Sequence, residues 1–241
     1  MLGSSPVDAY DRVASRAYDL REAFRAGSVP LNDDVRREPH VVPSSDPLSV
    51  VPPPNAWLVI RDRAGGRAYE RDGSLTLADG VLRARDGAEV LGYPRGEARG
   101  AVPVPLRIEP GEHALGRGAD ARIESDGTVA YTRAAIDPRN GARSFERIVL
   151  GRVALARFPA GTQPVRLGGA RVGAPPGVVP HLGLPADGGF PPLAPSSRDA
   201  GSIDIAAGVA RLDEAYRAFE ALGAAVKSRS RTDKTAVDLV K

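Results

Sequence analysis

The residues of this chain that could do chemistry by type and spacing are its aspartates, several of which directly precede a glycine. In the stretch YERDGSLTLADGVLRARDGAEVLGY, at 69–93, the Asp-Gly pair recurs every seven residues. A calcium-binding loop requires acidic ligands at alternating positions, but this stretch has hydrophobic residues where those ligands would lie. Asp-Gly also forms tight hairpin turns, because both residues tolerate a positive φ. The pattern therefore predicts turns rather than metal ligands.

The turn prediction covers four Asp-Gly pairs and the strands between them. The pairs are Asp72-Gly73, Asp79-Gly80, Asp86-Gly87 and Asp126-Gly127. The strands of the first three pairs are expected near 67–70, 74–77, 81–84 and 88–91, as a β-meander. Trp57 lies in the apolar run AWLVI, at 56–60, and is expected to be buried at the head of the first strand of this β region.

Other residue types give little support for catalysis. The chain has no cysteine, which excludes disulfides, thiol catalysis and thiolate metal sites. His40, His113 and His181 are far apart in the sequence, and two of them lie in proline-rich surroundings. No serine has a Gly-x-Ser-x-Gly setting, and no glycine-rich stretch follows a strand and opens a helix to hold a phosphate. We therefore predict no catalytic, cofactor-binding or metal-binding residue, and no cofactor.

Composition narrows the class of protein. The 241 residues suffice for one large domain or two small ones, and 42% hydrophobic with 26% charged residues is ordinary for a globular chain. The net charge of +3 is small and its signs are interspersed, which argues against a nucleic-acid-binding face. No apolar run is long enough to span a bilayer, and no cleaved signal peptide is expected at the N-terminus.

Two helices with a heptad seam are predicted, one at each end. Ser5 as cap, Pro6 at the first helical position and Gly27 as stop predict a helix over 5–26. Its seam consists of Tyr10, Val13, Ala17, Leu20 and Phe24. The seam of the C-terminal helix consists of Ile205, Val209, Leu212, Tyr216, Phe219 and Val226. Such seams predict coiled-coil pairing, of the helices with each other or with neighbouring copies. Ordinary packing of two amphipathic helices on the β region is the alternative.

The predicted fold class is mainly β, with an all-β central domain of hairpins between these two heptad helices. Prolines and the absence of periodicity predict a linker before the strands and an irregular segment after them. The expected segments are an N-terminal assembly helix (1–26), a Pro-rich linker (27–54), a β domain (55–170), an irregular Pro/Gly-rich segment (171–201) and a C-terminal assembly helix (202–241).

Four stretches resemble the bacterial flagellar rod and hook protein family. The stretch from PNAWLVI to EVLGY is similar to a family block with an aromatic-apolar strand, Tyr-Thr-Arg-Asp-Gly-Ser-Phe and further Asp-Gly turns. IESDGTVAY resembles a later Ile-x-x-Asp-Gly-Thr-Val element, and VLGRVALARFP followed by RLGG resembles the strand after it. The segment from GSIDIAAG to AAVKS is similar to the closing helix. Residues 22–50 depart from the family, which ends its first helix with Asn-Asn-Leu-Ala-Asn.

The resemblance implies a non-enzymatic axial subunit of the flagellar basal body, most similar to proximal-rod proteins. It implies export through the flagellar type III apparatus and assembly into a rod that crosses the periplasm. The implied partners are copies of the chain and other rod and hook proteins, with no nucleic acid, no membrane insertion and no small-molecule substrate. The implied role is to transmit torque for motility through a rigid tube.

Two other functions remain open from the residues alone. The chain is alternatively a secreted β-sandwich binding module that its terminal helices dimerise. A weaker alternative is a carbohydrate-acting enzyme with a groove lined by residues such as Asp72, Glu124 and Asp126, although carboxylate spacing in sequence does not define such a pair.

Overall fold

The structure is a computed structural model, which describes part of the chain in two units. The described residues are 5–28, 30–35, 40–96, 101–108, 121–136, 141, 143–168 and 170–239. One unit comprises Met1–Phe24, Ser28–Glu38 and Gly201–Lys241, and the other comprises Arg25–Gly27 and Pro39–Ala200. The first is helical and the second is built from strands. The prediction of a mainly β chain with one helix near each end is confirmed.

The helical unit contains α1 (Pro6–Glu22), a 3₁₀ turn (Asp33–Val35) and α2 (Ile205–Leu239). A capping box begins α1: the Asp8 amide donates to Ser5 Oγ over 3.1 Å, and the Ser5 amide donates to Asp8 Oδ2 over 2.9 Å. Ser5 and Pro6 therefore have the positions expected from the sequence.

The first helix ends four residues before the expected position, because the chain after it turns back onto its last turn. The buried Asp19 carboxylate accepts hydrogen bonds from the backbone amides of Leu31 and Asn32 and from the Asn32 side chain, the last over 2.7 Å. The Ala23 amide closes the helix on the Asp19 and Leu20 carbonyls. Phe24 is consequently outside the helix and 79% exposed, so it does not extend the seam.

The two helices pack against each other near the start of α2. A Cβ atom at Gly208 would lie 2.9 Å from Leu20 Cδ2, so the glycine lets the Leu20 side chain approach the backbone of α2 closely. Beside it, Ala23, Val35 and Ile203 form a buried cluster.

The strands of the other unit are antiparallel, and all except β10 and β11 have two to six residues. They are β1 (Val41–Pro43), β2 (Val50–Val51), β3 (Trp57–Arg61), β4 (Arg67–Glu70), β5 (Leu75–Ala78), β6 (Val81–Ala84), β7 (Glu89–Pro94), β8 (Val104–Pro105), β9 (Arg122–Ile123), β10 (Thr128–Ile136), β11 (Arg143–Val153), β12 (Leu155–Arg157), β13 (Val165–Gly168), β14 (Arg171–Gly173), β15 (His181–Gly183), β16 (Ala194–Pro195) and β17 (Ser197–Asp199).

One large sheet contains part of the expected meander. Strands β5, β6 and β7 pair in succession, but β4 pairs with β3 and β14 instead of β5, so the expected hairpin at Asp72-Gly73 does not form. The main path of the sheet has the order β13-β14-β4-β3-β7-β11-β10-β9, with β5, β6, β8, β12 and β15 paired alongside. Strands β4 and β6 have the expected bounds, while β5 and β7 each begin one residue later than expected. The larger apolar core lies around Leu58, Ile60 and Leu155, all fully buried. A second cluster, around Val59 and Tyr69, includes Phe158.

The segments expected to be a linker and an irregular stretch also contain strands. Within 27–54, β1 pairs with β17 and β2 pairs with β16, and within 171–201 four short strands form. Prolines are tolerated because Pro43 and Pro195 lie in two-stranded ribbons, where the missing amide does not interrupt a central ladder. The proline content therefore predicted less regular structure than these segments have, because pairing with distant strands orders them.

Candidate assembly surface

An apolar strip on α2 is uncovered in the single chain. Val209 is 54% exposed and Tyr216 is 53% exposed, and Ile205, Phe219 and Val226 are exposed as well. These five side chains, with the half-buried Leu212, repeat at heptad spacings of 4, 3, 4, 3 and 7 residues. We call the set Ile205, Val209, Leu212, Tyr216, Phe219 and Val226 the α2 strip. Exposed apolar side chains in this arrangement are typical of an interaction surface.

The side of α2 that faces α1 is offset from the strip. Gly208 is buried, and Ala215 and Leu222 are half-buried, at intervals of seven residues. Val209 and Tyr216 each follow one of these positions directly, so they lie roughly 100° further around the helix. Contact with α1 therefore uses one side of α2 and leaves the adjacent side uncovered.

Helix α1 is also too short to reach the C-terminal part of α2. Helix α1 has 17 residues and α2 has 35. At a rise of about 1.5 Å per residue, α1 is roughly half as long as α2. Residues 223–232 of α2 are exposed on all sides, which leaves this part of the helix available for a partner.

The predicted seam of α1 is divided between two sides of that helix. Val13 and Leu20 are half-buried, while Tyr10 and Ala17 are exposed. Leu20 contacts α2 at Gly208, as described above. The structure therefore brings part of the α1 seam to α2 and leaves the rest uncovered, beside the exposed Val7.

Two arginines of α2 form ion pairs with nearby carboxylates. Arg211 pairs with Glu214 over 2.8 Å and with Asp34 over 3.2 Å, and Arg217 pairs with Asp213 over 2.8 Å. These surface pairs contribute little to stability. The residues of the α2 strip are themselves apolar. A partner that binds the strip is therefore selected by shape and hydrophobic contact rather than by charge.

Three of the four Asp-Gly pairs lie at hairpin turns, and the fourth, Asp72-Gly73, lies in the connection between β4 and β5, which pair with other strands. Asp79 (φ 50°) and Gly80 (φ 70°) form the two-residue loop between β5 and β6, as a tight hairpin requires. Gly87 has φ 90°, and the Asp86 carboxylate accepts the Ala88 amide over 3.1 Å. The Asp86 carboxylate therefore stabilises its turn, whereas Asp79 is placed at its turn by its backbone conformation.

Gly73 differs from the expectation of a positive φ. It is required by a close approach instead, because a Cβ there would lie 1.8 Å from the Val50 carbonyl oxygen. Asp72 accepts the Ser74 amide over 3.0 Å, which gives the same local turn as at Asp86. At Asp126-Gly127, the glycine has φ 83° and Asp126 accepts both the amide and the hydroxyl of Thr128.

The carboxylates named for an enzyme groove are each engaged separately. Glu124 pairs with Arg147 over 2.8 Å, and Asp72 is buried. Although partial burial raises it, the pKa of Asp126 stays below its usual range because of the hydrogen bonds from Thr128 and the nearby Arg152. A low pKa makes Asp126 a poor general acid. Within the described ranges, no three His, Asp or Glu residues are placed to hold a metal.

Two of the three histidines lie in the described part of the chain, and His113 lies outside it. His181 stacks on Phe190, with ring centroids 5.5 Å apart and planes 9° apart. His40 is exposed, and its carbonyl accepts the Ala200 amide over 2.8 Å. Both positions have a structural explanation.

Trp57 is half-buried. Its ring meets the Phe158 ring edge-on at 5.1 Å, within the second apolar cluster. Its indole Nε1 is shielded from solvent and has no hydrogen-bond acceptor among the described residues. Because Trp57 is the only tryptophan of the chain, its fluorescence reports on the folding of the β unit.

The sequence analysis missed a buried ion pair that organises the entrance to the sheet. Arg71 Nη2 lies 3.4 Å from Asp199 Oδ2, and both side chains are buried. Arg71 Nη1 also donates to the Ala56 carbonyl over 3.0 Å, and further bonds reach the Pro52 and Pro53 carbonyls. The position of Arg71 directly after a strand gave no signal of these distant partners.

Comparison with known proteins adds no relative. No protein-family model matches the chain, and no curated protein matches it at a significant level. None of the helices in the described ranges combines the length and the apolarity needed to cross a bilayer.

Proposed function

We propose that this chain is a structural, non-enzymatic subunit of the bacterial flagellar rod, which polymerises with copies of itself and with other axial proteins. The observation that carries the proposal is the α2 strip, which stays exposed because α1 packs on another side of α2. Burial of such side chains contributes about 25 cal/mol for each Å² removed from water. A repeated helix-to-helix contact is therefore the favourable state of this surface.

Packing within the chain supports the view that the two sides of α2 bind different partners. Gly208 and its neighbours bind α1 of the same chain, and the strip is left for a neighbouring copy. In a rod, the strip binds a different surface of the next subunit, so that the array stays open and grows. The coiled-coil arrangement, the export by the flagellar type III apparatus and the periplasmic location belong to this proposal and rest on the family resemblance.

The turn-stabilised β unit supports a mechanical role. Asp86 and Asp126 accept hydrogen bonds within turns, and Arg71, paired with Asp199, holds the backbone of 52–56. In the proposed rod, such a unit adds rigid mass around a helical inner layer and transmits torque to the hook. The sequence resemblance suggests a proximal position in the rod.

The test compares two charge substitutions on opposite sides of α2. Tyr216→Asp places a carboxylate in the strip, where packing would bury it at a large cost. Ala221→Asp places the same group on the exposed opposite side. In flagellated cells that rely on the variant chain, we expect Tyr216→Asp to abolish incorporation into purified basal bodies and swimming, while Ala221→Asp preserves both.

The alternative functions give different results in the same experiment. A dimerised binding module forms a closed dimer of purified protein in sedimentation, which Tyr216→Asp converts to monomer, and cells swim with either variant. Equal incorporation of both variants would reject the strip as the assembly surface. Swimming of cells without any copy of the chain would reject the flagellar assignment.

A further inference from the structure

Glu70 is a carboxyl group buried in the sheet with an incomplete set of partners. It ends β4, opposite Leu58 on β3 and Arg171 on β14, and is 6% exposed. Its Oε2 atom makes no hydrogen bond within the described part of the chain. The Arg171 Nε atom lies 3.9 Å from Oε2, which is too long for a hydrogen bond. The turns and the assembly strip leave this group unexplained.

Arg171 connects Glu70 to a turn on another part of the sheet. Its Nη2 atom forms an ion pair with Asp86, in the turn between β6 and β7. Its Nε atom is buried and has no acceptor among the described residues. Asp72 is the other charged group that acts on Glu70, and the facing residue on β3 is apolar. One guanidinium therefore lies between two carboxyl groups.

The environment favours the neutral form of Glu70. Burial is the main cause that raises its pKa from 4.5 to about 8; Asp86 raises it further, Arg171 opposes the rise, and Asp72 adds to it. The pKa is thus higher in the folded than in the unfolded chain, so unfolding releases a proton between these two values. The stability that this group provides is complete below about 4.5 and is lost as the pH rises to about 8.

We propose that Glu70, Arg171 and Asp86 form a proton-controlled latch between the edge hairpin β13–β14 and the turn of β6–β7. With Glu70 protonated, Arg171 stays on Asp86 and ties the turn to β14. When Glu70 releases its proton to solvent, its carboxylate draws the guanidinium away, and Asp86 loses its partner.

The hairpin is suited to such control because it is held at an edge. Strand β14 pairs with β4 at Glu70 and Tyr69, and β13 is the end of the main strand order. The turn keeps a second anchor, since Arg63 Nη2 donates to the Asp86 carbonyl over 3.0 Å. Release of Arg171 therefore loosens the contact without unfolding the sheet. This inference does not depend on the flagellar proposal.

The test follows the titration of the full-length protein by NMR with ¹³C-labelled glutamate, assigned with Glu70→Gln. We expect the Glu70 carboxyl to titrate near pH 8 and the amides of Gly87 and Arg171 to shift with the same midpoint. Glu70→Gln removes both amide transitions, and Asp86→Asn lowers the Glu70 midpoint. Glu146→Gln, at an exposed glutamate of β11, leaves the Glu70 midpoint unchanged.

Denaturation at a series of pH values supplies an independent measurement. The folding equilibrium constant should fall by about tenfold per pH unit between roughly pH 5 and pH 8 because of Glu70, and this contribution should disappear in Glu70→Gln. A Glu70 midpoint near 4.5 would overturn the latch. So would a midpoint near 8 without linked shifts of Gly87 and Arg171, because Glu70 would then be only a buried acid.

Discussion

At the scale of single residues, two Asp-Gly pairs that look alike in the sequence depend on different physics. Gly80 needs its positive φ, for which an L-residue is strained by roughly 1–2 kcal/mol. Gly73 needs the absence of a Cβ, because the Val50 carbonyl would collide with it. We expect Gly73→Ala to lower the free energy of unfolding of the β unit by more than Gly80→Ala, which should cost about 1 kcal/mol. Urea denaturation followed by Trp57 fluorescence measures both.

A larger loss from Gly80→Ala than from Gly73→Ala would contradict this account. Gly65→Ala is the control for φ alone, since Gly65 has φ 86° and a Cβ there would meet no atom within 4 Å. Its cost should match that of Gly80→Ala.

The buried Arg71–Asp199 pair gives a second prediction at this scale. Arg71→Met removes the guanidinium that lies 3.4 Å from the buried Asp199 carboxylate, and we expect a loss of roughly 3–5 kcal/mol in the free energy of unfolding. Arg85→Met, at an exposed turn position, should change it by less than about 0.5 kcal/mol. The same Trp57 denaturation curves provide the measurement, and equal effects of the two substitutions would show that the pair does not stabilise the β unit.

At the scale of elements, the two sides of α2 predict separable defects in the free monomer. Leu212 is half-buried beside the side that faces α1, and Tyr216 is exposed. Leu212→Asp should therefore increase amide exchange in α1 as well as prevent assembly. Tyr216→Asp should leave exchange in α1 unchanged. Hydrogen exchange of the monomeric variants tests this, and increased exchange in Tyr216→Asp would place that residue in the α1 contact.

Signals that are local in the sequence predicted most helices and strands. The features that the sequence did not predict depend on contacts between residues that are distant in the chain. The Ser5 cap, the strand alternation and the Asp79-Gly80 turn depend on neighbours in the chain. The early end of α1 depends on Asp19 binding residues 31 and 32. Strands of two or three residues, such as β2 and β16, exist only because a partner is present. The pairing of Arg71 with Asp199, 128 residues apart, has no local signal.

The candidate assembly surface was predictable only in part, because only some of its features depend on local spacing in the sequence. Heptad spacing identified the apolar residues of α2, since that spacing is local. It did not distinguish the side that binds α1 from the side that stays exposed, because Gly208 marks the first only through its contact with Leu20.

At the scale of the whole molecule, folding of the β unit and assembly should be separable. A chain that ends at Asp204 lacks α2 but keeps every strand. We expect it to unfold cooperatively by Trp57 fluorescence, at a urea midpoint close to that of the full chain, and to fail to enter the rod. Loss of the cooperative Trp57 transition would show that α2 is required for the β unit to fold.

The antiparallel pair β1–β17 brings together the two ends of the segment 40–200, which contains all the described strands. Val41 lies opposite Asp199, and the Ala200 amide donates to the His40 carbonyl over 2.8 Å. A two-residue Asn-Gly connection from Ala200 to His40 would extend this ribbon into an ordinary hairpin. The segment 40–200 is therefore suited to head-to-tail cyclisation, and a circular permutant with new termini between Asp79 and Gly80 would keep the order of strands in the sheet.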